Sequence, residues 1–251
     1  MIADRDDQII FSCFIFLLLF VTPFSGRSQE KDITIVNVFN LDNQELAKVI
    51  SSVNSYKPKV LSIDMIFHEF DAEMDWKLAK NLEAVNSLVM AMRLDELGGQ
   101  FFLPVIGDVN FYPDHAKNGY SNPMFENDLL NTVKRFRVTP KNKFDSLSAF
   151  HFAIQVAMLA DQTKTAQFIE SHPDIVDIDY KDGRRCFNFL SGEDVLNARI
   201  KLKDVNDKIV IIGNLDPEIK FATPVRDKKT GAMRRMSELE INANIIAQIL
   251  E

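Results

Sequence analysis

Acidic side chains and a histidine are concentrated between positions 64 and 75, directly after a short apolar run at 60–63. They are Asp64, His68, Glu69, Asp71, Glu73 and Asp75. Carboxylate oxygens suit Mg²⁺ or Ca²⁺ and an imidazole suits Zn²⁺, so this stretch could hold a divalent cation. It could also contact a polar small molecule. In the third interpretation Asp64 bonds loop amides, Asp71 caps a helix and the other charges are solvated.

The spacing of these residues matches no established metal or nucleotide motif. It fits neither an EF-hand calcium loop nor the H-E-x-x-H zinc helix. Phosphatases with an aspartyl nucleophile also place an Asp after a strand, but the second acidic position is occupied here by Ile66. The chain has no G-x-G-x-x-G after a strand, no P-loop and no G-x-S-x-G elbow. We therefore expect no catalytic residue, cofactor or bound metal, with a metal-dependent hydrolase using Asp64 and His68 as the alternative.

The elements around this stretch follow the pattern of a parallel sheet. Strands are predicted at 33–39, 59–64 and 87–92, separated by helices that begin after Asp42 and near Asp71. Strand, helix, strand, helix, strand in this order is typical of right-handed crossovers. Open sheets of this kind place ligands beyond the carboxyl ends of their strands, where Asp64 lies.

The remainder of the chain adds a less regular middle and an orderly end. Prolines and glycines punctuate β-like pieces at 101–106 and 133–138, which predict an inserted hairpin or an antiparallel edge. A helix is predicted from 146, with His151 half-buried on it. A buried strand at 208–213 ends in Gly213. In a final helix at 238–250, Asn242 and Asn244 point about 200° apart, which predicts one facing the crevice and one facing solvent. The predicted fold class is α/β, a mostly parallel sheet flanked by helices, with an inserted β-rich segment in the middle.

Residues 1–28 differ in composition from the rest. The apolar run at 9–21 is short for a bilayer span of about 20 residues, and Gly26 and Ser28 fit a signal-peptidase site. We predict a signal peptide ending at Ser28, or alternatively a retained membrane anchor that associates through residues 9–24, and in both cases export of residues 29–251. Beyond the leader only Cys186 remains, so no internal disulfide is expected. The net charge of −7 argues against a nucleic-acid binder.

Several segments in fixed order resemble the CHASE2 extracellular sensor domain over nearly all of residues 32–251. The matching segments are 58–67, Asp75 with Leu78, Gly119-Tyr120, Phe187 with 194–196, 208–213, Thr223-Pro224 and 240–246. One departure is Asn242, which stands where the family usually has histidine.

The resemblance implies an extracytoplasmic α/β sensory domain whose ligands are generally unknown. In that family the sensor usually lies between membrane helices and precedes a cyclase, kinase or phosphatase. Since this chain stops at Glu251, we expect either a stand-alone exported relative or a domain separated from its output, periplasmic or extracellular and without catalysis of its own.

The candidate ligand-binding residues come from the predicted strand ends and the matching segments. They are Asp64, His68, Asp71, Gly213, Thr223 and Asn242. The expected occupant of the crevice is a small ligand or an envelope protein. A purely structural envelope protein, with the Phe-rich middle segment as its partner surface, is the remaining alternative.

Overall fold

The computed structural model describes residues 32–67, 71, 73, 75–97, 100–105, 111–139, 150–181 and 187–251. The predicted leader, residues 140–149, His68 and Cys186 lie outside the described residues. The strands are β1 (Ile33–Asn37), β2 (Val60–Asp64), β3 (Leu88–Leu97), β4 (Gln100–Val105), β5 (Lys117–Tyr120), β6 (Met124–Phe125), β7 (Val133–Arg137), β8 (Ile175–Asp177), β9 (Asn188–Ser191), β10 (Ile209–Gly213), β11 (Phe221–Arg226) and β12 (Met233–Met236). The helices are α1 (Asn43–Ser55), α2 (Trp76–Glu83), α3 (Phe152–Ala160), α4 (Gln162–Ser171), α5 (Gly192–Leu196), α6 (Leu202–Val205) and α7 (Glu238–Leu250).

A parallel sheet forms the centre of the fold. Its strands lie side by side in the order β5, β3, β2, β10, β1, β9. Gly213 at the end of β10 is opposite Asp64 at the end of β2 and Asn37 at the end of β1. The carboxyl ends of the three central strands are therefore level, and they form one edge. This arrangement confirms the predicted fold class.

Helices cover both faces of the sheet. On β10, Ile209 and Ile211 pack into the hydrophobic cluster that contains α3 and α7, whereas Val210 and Ile212 pack into the cluster that contains α1 and α2. Successive side chains of a strand point to opposite faces, so both sets are buried only if both faces are covered. This explains why the central strands are continuous apolar runs rather than alternating ones.

The helix starts are specified locally. Asp42 accepts a hydrogen bond from the Glu45 amide at 2.8 Å while the Glu45 carboxylate accepts one from the Asp42 amide at 3.2 Å, as predicted for the start of α1. This reciprocal pair is a capping box. The expectation that Asp71 caps α2 is wrong, because α2 begins at Trp76. Asp71 instead accepts from the Glu73 amide two residues on, the local turn that Asp side chains favour.

The middle of the chain supplies the antiparallel structure expected there. β4 pairs antiparallel with the distal part of β3, and β6, β7 and β8 form a separate antiparallel sheet. The prediction for His151 is wrong in detail. It stands just before α3, where its Nδ1 accepts from the Ala153 amide at 3.2 Å, and it is buried rather than half-buried.

In the part of the chain that the structure describes, no helix combines the length and apolarity needed to cross a bilayer. The predicted membrane association through residues 9–24 concerns residues outside that part.

Candidate functional site

The candidate site lies at the carboxyl edge of the sheet, where β2 ends at Asp64. Gly213 is beside it because the two residues are paired in register. A methyl group on Gly213 would lie 2.7 Å from the Leu239 side chain and 3.0 Å from the Asp64 carbonyl oxygen. The glycine therefore permits α7 to approach the strand ends closely, and this approach brings the polar side chains of α7 to Asp64.

Polar side chains from separate parts of the chain meet at this edge. We call the set Asp64, Arg93, Ser121, Glu238 and Asn242 the Asp64 cluster. The Asp64 carboxylate contacts the Ser121 hydroxyl at 2.9 Å and accepts from the Asn242 amide at 2.8 Å. Asn242 also donates to the Ser121 hydroxyl at 2.9 Å, and that hydroxyl contacts Glu238 at 2.8 Å. The cluster thus joins the edge of the sheet to α7.

Arg93 and Glu238 form the charged half of the Asp64 cluster. The guanidinium donates to both carboxylate oxygens of Glu238, at 2.6 and 2.7 Å. It also donates to the main-chain carbonyl of Ser121. A bidentate pair of this kind fixes orientation as well as charge. Glu238 is in addition the first residue of α7, where the helix dipole favours a negative charge.

Asp64 is the electrostatically unusual member of the Asp64 cluster. Burial raises its pKa to about 7, the nearby charge of Glu238 acts in the same direction, and Arg93 and the hydrogen bonds from Ser121 and Asn242 oppose them. The residue nevertheless keeps some accessible surface. Asp64 can therefore exchange protons with solvent near neutral pH.

A small cavity adjoins the Asp64 cluster. Its lining includes Ser121, Arg135, His151, Glu238 and Asn242, and its volume is about 10 Å³. That is room for about one water molecule. Burial, followed by the charge of Arg93, lowers the pKa of His151 to about 3, so the imidazole in this lining is neutral at physiological pH. A ligand larger than a water molecule fits this cavity only if its walls move apart.

The structure brings three of the candidate residues together, and two others make their contacts elsewhere. Asp64, Gly213 and Asn242 meet at the sheet edge. Asp71 lies in the loop before α2, where its amide donates to the Asp75 carboxylate at 2.9 Å. Thr223 is buried in the β11–β12 hairpin and donates to the Arg234 carbonyl at 2.8 Å. His68 is outside the described residues.

The expectation for the two asparagines of α7 is half correct. Asn242 faces the crevice as predicted, but Asn244 is buried as well, with an exposed fraction of 3%. Its amide donates to the Glu240 carbonyl one turn earlier at 2.7 Å. Both positions are covered because α7 is packed on more than one side, against α3, α4 and the sheet.

The sequence alone missed Arg93, Ser121 and Glu238. A signal existed for each: Arg93 directly follows the predicted strand at 87–92, Ser121 follows the matching Gly119-Tyr120 pair, and Glu238 follows a Ser cap at the start of a predicted helix. Among the residues that the structure describes, no group of His, Cys, Asp and Glu is large enough to form a metal site.

The chain matches the family model described as the CHASE2 domain over residues 28–251. No curated protein and no solved structure matches it.

Proposed function

Since the chain belongs to the CHASE2 domain family, a family of sensor domains, we propose that it is a non-catalytic sensor that works outside the cytoplasm. In this proposal a ligand or partner acts on the Asp64 cluster and the crevice beside it. The resulting signal is transmitted by a movement of α7.

The observation that carries this proposal is the convergence of four chain segments on one hydrogen-bonded cluster. Asp64 comes from β2, Arg93 from β3, Ser121 from the segment after β5, and Glu238 and Asn242 from successive turns of α7. Anything that competes for one of these hydrogen bonds changes how the start of α7 is held. The cluster is therefore suited to convert a chemical input into a movement of a helix.

The geometry of α7 supports its role as the output. With 13 residues and a rise of about 1.5 Å per residue, the helix is about 20 Å long. Its far end is held by Lys164, which donates to the Leu250 carbonyl, and by Lys181, which pairs with Glu251 at 2.9 Å. One rigid element thus connects the Asp64 cluster with the opposite side of the domain.

The proposed ligand-binding residues are those that meet at this edge: Asp64, Gly213 and Asn242, together with Arg93, Ser121 and Glu238. A polar small molecule or a loop of an envelope partner enters when α7 moves away. Such an occupant replaces the internal hydrogen bonds of the cluster, since buried polar groups left without partners cost free energy. Asp71 and Thr223 are not among the proposed ligand-binding residues, since they make local contacts elsewhere.

Native mass spectrometry of the protein purified from its own cell envelope tests this proposal. We expect a chain beginning at Gln29, or an anchored full-length chain, carrying a small molecule or a partner protein, and we expect Asn242→Ala to weaken that association. Protein found only in the cytoplasmic fraction would contradict the proposal.

The absence of catalysis needs its own test. Purified protein should hold no stoichiometric metal by elemental analysis and should not hydrolyse p-nitrophenyl phosphate with added Mg²⁺ or Zn²⁺. A tightly held metal lost in both Asp64→Ala and His68→Ala would instead establish a metal-dependent hydrolase.

A further inference from the structure

The Ser121 hydroxyl makes more contacts than its own proton can satisfy. It lies 2.9 Å from Asp64, 2.8 Å from Glu238 and 2.9 Å from the Asn242 amide nitrogen. A hydroxyl has one proton to donate and can accept at two lone pairs. The amide takes one lone pair, so the hydroxyl donates to one carboxyl group only. The contact with the other carboxyl group is a hydrogen bond only if that group carries a proton.

The position of this proton follows from the neighbours. Glu238 is paired through both oxygens with Arg93 and so is the ionised carboxylate. Asp64 is then the protonated one: it donates to Ser121, Ser121 donates to Glu238, and Asn242 donates to both Asp64 and Ser121. If the Asn242 amide is reversed, its oxygen instead of its nitrogen faces Asp64 and Ser121. More of these groups must then carry protons for the contacts to be hydrogen bonds. The geometry therefore requires at least one bound proton in either assignment.

Four charged or titratable side chains from the described elements lie around Asp64 at this edge. They are Arg93 on β3, Glu238 on α7, Arg135 on β7, which is paired with Glu126 at 2.8 Å, and His151 before α3. Arg93 and Arg135 each face a carboxylate partner of their own. His151 is buried between the rings of Tyr120 and Phe136 and stays neutral. The proton on Asp64 is therefore the one that changes near neutral pH, in agreement with its raised pKa.

Loss of this proton breaks the hydrogen-bond chain at one place. Two ionised carboxylates then face a single hydroxyl proton, and like charges at this separation repel. Asp64 is fixed in a strand between two other strands, whereas Glu238 and Asn242 lie on the first two turns of α7. The strain is therefore relieved by the start of α7.

We propose that the Asp64 cluster is a proton-linked switch, in which binding of one proton holds the start of α7 against the sheet edge and loss of that proton loosens it. This inference rests on the proposed function in treating α7 as the output. The site then responds to extracytoplasmic pH. It does so alone, or together with a ligand whose binding takes up or releases the same proton.

Carboxyl-detected NMR of protein with ¹³C-labelled Asp residues tests the proton itself. The Asp64 signal, identified by its loss in Asp64→Asn, should titrate with a midpoint near 7, and the midpoint should fall in Glu238→Gln because a raising charge is removed. Titration of Asp64 near its ordinary value of 3.8 would overturn the proposal.

Hydrogen exchange tests the coupling to α7. Between pH 5.5 and 8.5, after correction for intrinsic rates, amides in the first turns of α7 should exchange about tenfold faster at the higher pH. Asp64→Asn should abolish that difference, since its amide donates to Ser121 as the protonated acid does. The exposed change Glu170→Gln on α4 serves as the matched control and should behave like the unaltered protein.

Either of two results refutes the coupling: equal protection of α7 at both pH values, or the same pH effect in Asp64→Asn. Should Asp64→Asn not fold, Ser121→Ala answers the same question, because it removes the hydroxyl that links the two carboxyl groups. The proposed function is decided by localisation, bound species, metal content and hydrolysis, and none of these affects either measurement, so the two proposals fail separately.

Discussion

Replacement of Asp64 by Asn should stabilise the protein at alkaline pH and lose that advantage as the pH falls. The pKa of Asp64 is raised from 3.8 to about 7 in the folded protein. The folded state therefore binds more protons than the unfolded state between these values, and stability falls as the pH rises through this window. Asn cannot ionise and keeps the hydrogen-bonding pattern of the protonated acid, so it avoids this loss.

The size of the effect follows from the same window. The loss is about 1.4 kcal/mol per pH unit well below pH 7 and vanishes above it, which gives about 2.7 kcal/mol between pH 5 and pH 8.5. In a domain of this length 1 kcal/mol shifts Tm by about 2–4 °C. The difference in Tm between Asp64→Asn and the unaltered protein should therefore grow by about 5–10 °C between pH 5 and pH 8.5.

Thermal unfolding followed by circular dichroism at several pH values measures this difference. Contributions from titrating groups that do not interact with Asp64 are common to both proteins and cancel. Glu170→Gln, which removes an exposed carboxylate, should show a difference that is flat with pH. A flat difference for Asp64→Asn as well, or one that grows towards acid pH, would refute the reasoning.

Three further predictions concern the same edge of the sheet. Asn242→Asp places a third carboxylate against Asp64 and Ser121 and removes two donated hydrogen bonds, so urea unfolding should show a larger loss of stability at pH 8 than at pH 5; an equal loss at both would argue against the shared proton. Gly119→Ala should destabilise the protein more than Gly213→Ala. The added methyl would lie 2.5 Å from the backbone of α3 in the first variant and 2.7 Å from a flexible leucine side chain in the second. The reverse order of urea midpoints would contradict this account. Arg93→Met should cost about 1–3 kcal/mol because Glu238 loses its partner, and adding Glu238→Gln should recover part of it; a double-mutant cycle with no coupling energy would show that the pair is not stabilising.

Much of the sheet could be predicted because its signals are local. The continuous apolar run before Asp64 and the run that ends in Gly213 each indicate a strand buried on both faces, and the cap residues Asp42 and Ser237 mark helix starts by their own hydrogen bonds. These features depend on neighbours within a few positions. The order of strands and helices, and with it the α/β class, follows from them.

The predicted helix is present as α3, but the prediction for His151 failed where the local signal was ambiguous. Apolar spacing around His151 fits a helix, and the residue does adjoin one, but its ring serves as the cap and is enclosed by Tyr120 and Phe136. Spacing within one segment does not reveal rings that pack from other segments. The same limit applies to Asn244, whose burial depends on the elements that surround α7.

For this protein the sequence by itself determined the central strands, the cap at Asp42, the family and the position of Asp64 at a strand end. Only the tertiary structure decided which groups face that carboxylate, because Arg93, Ser121, Glu238 and Asn242 are up to 178 positions away along the chain. The protonation of Asp64 depends on burial and on these distant charges, and neither quantity exists before the sheet and α7 are packed together.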